Sequence, residues 1–183
     1  MDAQRRWRSC LTFCLVSLGI FSATSVSAQT LWKGARVGMS EETVQQQFPT
    51  AARPTAPTKL ADGSRELLRL PETLIQGHTF DALFFFNAGT LRQVNLELQE
   101  TGGAVFALQT YRGIKDAFNT KYGPPDDEQD QTFQASTGTA SFRSASWRSG
   151  RTWITLSYAT AGGRLVVMNV AYRAVTARDT DDI

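Results

Sequence analysis

The chain of 183 residues holds a single histidine, His78, and both of its cysteines, Cys10 and Cys14, fall well before Gln29. Zinc sites draw on histidine and cysteine together, and a nucleophile–base pair needs a base beside a reactive hydroxyl or thiol. One isolated imidazole supports neither in its usual form. His78 opens a strand-like run and reads as a structural or surface group. Acids are more numerous. Asp126, Asp127, Glu128 and Asp130 crowd together after Pro125, but they lack the alternating acid-and-glycine order of a calcium loop. The stretch Pro125 to Gln131 reads as a solvated acidic connector. A carboxylate acid–base pair needs two apposed groups in a cleft. Asp81 and Glu97 are the mid-strand acids available, and they read as surface groups. No glycine-rich loop joins a strand to a helix in the nucleotide-binding manner. The expectation is a noncatalytic protein without metal or cofactor.

The segment from Met1 to Ala28 has the order of a secretory signal. Arg5, Arg6 and Arg8 form a basic start, Leu11 to Phe21 an apolar run, and Val26-Ser27-Ala28 a small-residue end. Cleavage is expected after Ala28, placing the protein in the periplasm or outside the cell, with no stable membrane insertion afterwards. Of 19 basic and 17 acidic residues, this leader carries three arginines and one aspartate. The remainder therefore has 16 of each and no net charge. A nucleic-acid partner would want a basic face or stripe, so none is expected. Without the leader there is no cysteine, and the hydrophobic core alone must hold the fold.

Elements that could position a site follow from periodicity. Between Gly102 and Pro125, residues Ala104, Ala107, Leu108, Tyr111, Ile114, Phe118 and Tyr122 recur at three- and four-residue steps, the stripe of an amphipathic helix. Lys115 and Lys121 suit its C-terminal turns, and Gly123-Pro124 closes it. A shorter helix is expected after Ser40. That residue can cap it, Glu41 and Glu42 favour its positive end, Met39 and Val44 can staple it, and Pro49 ends it.

The rest is β sequence. Arg65 to Leu70 is a strand that Pro71 interrupts. His78 to Phe86 sets Phe80, Ala82, Phe84 and Phe86 against Asp81, Leu83 and Phe85. Asn87-Ala88-Gly89 is a turn, and Leu91 to Gln99 alternates again. Phe142 to Arg148 and Arg151 to Ala159 flank Ser149-Gly150, a hairpin loop that would pair Trp147 with Thr152 and Ala145 with Ile154. Gly162-Gly163 leads to a last strand, Arg164 to Arg173.

The chain also repeats itself. The step along the chain that carries Phe80 onto Ile154 also carries Ala82 and Phe84 onto Leu156 and Tyr158. The same step carries Gly89, Leu91 and Asn95 onto the identical types Gly163, Leu165 and Asn169. A constant offset that preserves apolar parity points to internal duplication, with repeats at about 32–101 and 102–173. The expected organisation is a leader (1–28), one α+β domain (29–175) and a flexible tail (176–183).

Two helix-plus-antiparallel-strand units in an exported chain resemble the beta-lactamase inhibitor protein fold. Gly38-Met39-Ser40-Glu41-Glu42-Thr43-Val44 is also similar to the helix start of the small lipoprotein of the barrel-assembly machinery, a single-repeat relative. The resemblance implies one curved antiparallel sheet with both helices on one face. It also implies a role in binding another protein, or alternatively in docking within an outer-membrane assembly complex. The inhibitor's disulfides and the lipoprotein's acylated cysteine have no counterpart here. If the helices cover the Phe84 and Ile154 side, the opposite face presents isolated aromatics among small polar residues, suited to a protein partner. The residues expected to make that contact are Phe85, Asn95, Phe142, Trp153, Thr155 and Asn169.

Overall fold

The alternating run from Phe80 to Phe86 lies near the middle of one half of a large antiparallel sheet. The computed structural model describes residues 29–99, 103–135 and 138–175, so the expected leader and the tail at 176–183 lie outside the described residues. The described residues open with a small hairpin, β1 (Thr30–Trp32) and β2 (Ala35–Arg36), followed by α1 (Glu41–Gln47). Then come β3 (Arg65–Ile75), β4 (His78–Asn87), β5 (Thr90–Leu98) and α2 (Gly103–Tyr122). Finally β6 (Asp127–Ala135), β7 (Gly138–Ser149), β8 (Thr152–Ala161) and β9 (Arg164–Ala174) complete the architecture. The last seven strands form one sheet in the order β3-β4-β5-β9-β8-β7-β6. With the two helices among the described residues the architecture is α+β.

Local chemistry explains the helix ends. The Ser40 hydroxyl accepts the Thr43 N–H at 3.2 Å, and two acids occupy the first turn of α1. Gly38 and Met39 exchange backbone hydrogen bonds with Leu91, which fixes the start of α1 on β5. In α2 the expected stripe faces the sheet: Ala107, Tyr111 and Ile114 are buried, while Leu108, Phe118 and Tyr122 pack at its margin. The Tyr158 hydroxyl donates to the Ala104 carbonyl at 2.9 Å, and the Trp147 indole N–H donates to the Gly123 carbonyl at 3.1 Å. Two sheet side chains thus hold both ends of α2.

Both helices lie on one side of the sheet. The Phe48 ring at the end of α1 lies 5.1 Å from Phe84, and Trp32 stacks on Phe48 at 5.8 Å. Phe118 of α2 meets Trp147 edge-on at 5.2 Å, and Tyr111 lies 6.1 Å from Tyr158. Strand register carries the same face across all these contacts, since Phe84 pairs with Val94, Val94 with Tyr172, Tyr172 with Ile154, and Ile154 with Trp147.

Three expectations need correction. Pro71 does not end its strand: β3 runs on to Ile75 with a register shift between Leu70 and Thr73, and Glu72 takes a φ of 56°. The strand lies at the sheet edge, where a missing N–H can be left facing outward and a bulge absorbs the turn of the chain. The acidic connector is a strand as well. Asp127 to Ala135 pairs residue by residue with β7, because Glu128 is neutralised by Lys115 of α2 and Asp130 by Arg143 of β7. The β7–β8 hairpin turns one position later than expected, with Trp147 opposite Ile154 and Ala145 opposite Leu156. Ser149 closes the ladder against Thr152, and the loop is Gly150-Arg151, with Gly150 at a φ of 59° that suits glycine. Each partner moves by an even step, from Thr152 to Ile154 and from Ile154 to Leu156, so the assignment of faces survives.

Candidate protein-binding sheet face

The face turned away from the helices is built from cross-strand rows. One runs Glu66, Phe85, Gln93, Arg173, Trp153, Arg148. The next runs Arg69, Leu83, Asn95, Ala171, Thr155, Ser146. A third runs Asp81, Glu97, Asn169, Ser157, Ser144. Phe142, opposite Ala159, lies beyond it on β7. All six expected contact residues therefore share this face.

They do not share its exposure. Phe85 is only 1 % exposed and Leu83 likewise, so Phe85 is not an open anchor. The two lie outside the main core cluster and form a separate apolar patch on the far face. Beside this patch the segment before β3 folds back along the outer edge of that strand. Ala52 bridges Arg69, Lys59 bridges Arg65, and the Glu66 N–H donates to the Thr58 carbonyl at 3.0 Å. Asn95 is also buried, with its carbonyl oxygen taking a 2.7 Å hydrogen bond from Gln93. Trp153, Thr155, Phe142 and Asn169 remain half-exposed.

Trp153 lies beneath the Arg173 guanidinium, 5.8 Å from its ring centre, a distance at which cation and ring attract. Around it the floor is of small hydroxyl residues. Ser146 and Thr155 hydroxyls are 3.0 Å apart, and Ser144 and Ser146 are themselves buried. Short hydroxyl side chains therefore separate the two half-exposed aromatics of this face, Trp153 and Phe142.

The opposite margin is ionic, and sequence reasoning missed it. Glu66 is 1 % exposed and accepts from the Thr58 N–H and hydroxyl, both at 2.9 Å. Arg69 grips it at two points, Nε to Oε1 at 2.7 Å and Nη2 to Oε2 at 3.0 Å. Burial alone would push the Glu66 carboxyl up. The hydrogen bonds from Arg69 and Thr58, with the guanidinium charge, outweigh it and hold the group below its ordinary value. Asp81 lies 3.9 Å from the same guanidinium. Glu97, half-buried in the next strand, is pushed up by burial, with Arg69 opposing and the Glu66 and Asp81 charges adding to the rise. A glutamate and an arginine three apart amid leucines was the available signal, in Glu66-Leu67-Leu68-Arg69.

His78 opens β4 with its ring 5.4 Å from Phe106 of α2, edge to face. Among the described residues no group of three or more histidines, cysteines or acids is placed to hold a metal ion, and no helix is long and apolar enough to cross a membrane. No family model, curated protein or solved structure matches this chain.

Proposed function

We propose that the protein is an exported, noncatalytic binding module that holds another protein against the helix-free sheet face. The observation that carries this reading is the half-exposed Trp153, held beneath Arg173 on a floor of small hydroxyl residues. A rigid aromatic anchor on a shallow polar surface is the composition of a binding hot spot with its surround. The footprint is Trp153, Thr155, Phe142 and Asn169. Phe85 and Asn95 lie beside it in the same face, on β4 and β5, as buried support.

The same reading includes an origin by duplication. The offset that relates Phe80 to Ile154 also relates both ends of β4 to both ends of β8, at His78–Asn87 and Thr152–Ala161. It relates the start of β5 at Thr90 to the start of β9 at Arg164. Moved back by the same offset, β6 falls on the segment that bridges β3 at Ala52 and Lys59. Pro54 and Pro57 there withhold the N–H groups that a full strand would need.

A photo-crosslinking residue at Thr155 tests the site against one at Val105, which is exposed on the helix side. In an envelope extract we expect a discrete protein adduct from position 155 that Trp153→Ala abolishes. Labelling from position 105 alone, or labelling that survives Trp153→Ala, would overturn the assignment.

A further inference from the structure

The helix-bearing face carries a second feature, separate from the protein-binding reading. Strand β1 crosses this face between the two helices. Its neighbour Gln29 donates to the Thr152 hydroxyl at 3.0 Å, and that hydroxyl donates to the Thr30 carbonyl at 2.8 Å. The crossing leaves a cleft on each side. One, of about 490 Å³, lies toward the β3–β4 turn and is walled by Leu31, Trp32, Leu74, Ile75, Phe118 and Tyr122. The other, of about 510 Å³, shares Thr30, Leu31, Tyr122 and Tyr172 with it and is otherwise bounded by Ile154 and the polar Gln29, Ser149, Arg151 and Thr152.

The first cleft has the marks of a ligand site. Its volume lies within the range of small-molecule sites, which are lined mainly by apolar and aromatic side chains with a few polar groups. Leu74 is 68 % exposed although it stands among other apolar residues. Lys33 and Lys121 both line the cleft. Each ammonium is held over a wall ring, Lys33 at 4.9 Å from the Trp32 centre and Lys121 at 4.8 Å from Tyr122. Among the described residues neither is paired with a carboxylate, in contrast to Lys115, which is paired with Glu128. The cleft thus combines an apolar wall with two positive charges and no acid of its own among its lining residues.

From this combination we infer that the cleft binds a single-chain amphiphilic anion, an alkyl chain ending in a carboxylate. The chain lies against Leu31, Leu74, Phe118 and Tyr122, and the head is held by Lys33 and Lys121. An uncharged apolar ligand would leave the two ammonium groups unused, and a cationic head would be repelled by both.

The test is calorimetric titration of the purified full chain with sodium dodecanoate below its micelle concentration. Dodecyltrimethylammonium serves as the control of opposite charge. Lys33, Lys121 and Leu74 are exposed, so K33E/K121E and, separately, Leu74→Glu should keep the parent melting temperature. We expect saturable one-site binding of dodecanoate, weakened at least tenfold in each variant, and at least tenfold weaker binding of the cationic control. Absence of saturable binding, equal affinity for the cationic amphiphile, or unchanged affinity in K33E/K121E would overturn the inference. So would loss of dodecanoate binding in Trp153→Ala, which would move the site to the other face. Failure of the crosslinking experiment leaves this result untouched.

Discussion

Arg69 and Glu66 lie on one edge strand, three residues apart, and the guanidinium engages both carboxylate oxygens while Thr58 donates to one of them from the preceding segment. A bulge makes this possible, since the register shifts between Glu66 and Leu68 and brings Glu66 and Arg69 to the same face. The pair fastens the segment that holds Thr58 to the outer edge of β3. Glu66→Ala should strand the Thr58 N–H and the guanidinium and cost about 1.5–3 kcal/mol, the range for hydrogen bonds to a charged group. Because the folded carboxyl lies below its ordinary value of 4.5, its contribution is present above that pH. It is lost as pH falls through the lower folded value. Denaturant melts at neutral and acid pH should show this loss in the parent and not in Glu66→Gln.

Glu97 should behave in the opposite sense. Its folded carboxyl lies above the ordinary 4.5, so the folded state binds the proton more tightly than the unfolded chain. Stability should fall as pH rises from about 4.5 through the folded value. Glu97→Gln should remove this slope and melt higher than the parent at neutral pH. A variant that melts lower there would show that the ionised carboxylate is a net asset to the fold through Arg69.

Phe85 and Trp153 separate folding from binding. Phe85→Ala empties a buried site and should cost about 3–5 kcal/mol. Trp153→Ala removes a half-exposed ring and should cost roughly 1 kcal/mol, near the centre of ordinary substitutions. Thermal melts of the two variants check this. If Trp153→Ala proves as damaging as Phe85→Ala, the tryptophan belongs to the far-face patch and not to a contact surface.

Three tyrosines predict an alkaline limit. Burial pushes the Tyr111 hydroxyl up to about 12, and it raises Tyr158 and Tyr172 as well. The folded state favours the neutral phenols, so stability is full below their ordinary value of 10 and declines as pH rises from there to about 12. Tyrosinate absorbance followed against pH should therefore rise together with the unfolding signal. Smooth ionisation of Tyr111, Tyr158 and Tyr172 near their ordinary value, with the fold intact, would contradict their burial.

Much of this architecture was legible from local rules. The stripe of α2 and the alternation in β4, β5, β8 and β9 depend on the helical and strand periods, which each segment carries by itself. The capping of α1 by Ser40 and the Ala88-Gly89 turn, with φ of 48° and 75°, are equally local. Parity placed Phe85, Asn95, Phe142, Trp153, Thr155 and Asn169 on one face, because side chains alternate along any strand whatever its neighbours.

Partners distant in sequence decided the rest. Parity assigns a face but not how far each residue is covered, and only the folded structure made Phe85 interior and left Trp153 half-open. Asp127 to Ala135 is too acidic to read as a strand alone. It pairs because Lys115 and Arg143 arrive from α2 and β7 to neutralise Glu128 and Asp130. Glu66 could be buried only once Thr58 and Arg69 were both in place. The sequence by itself determined the helices, the strands β4, β5 and β7 to β9, and which way their residues face, since those follow from short-range sterics and hydrogen bonding. Exposure, charge pairing and the cleft beside β1 were set only by tertiary structure, because each is a property of surfaces that meet after the chain has folded.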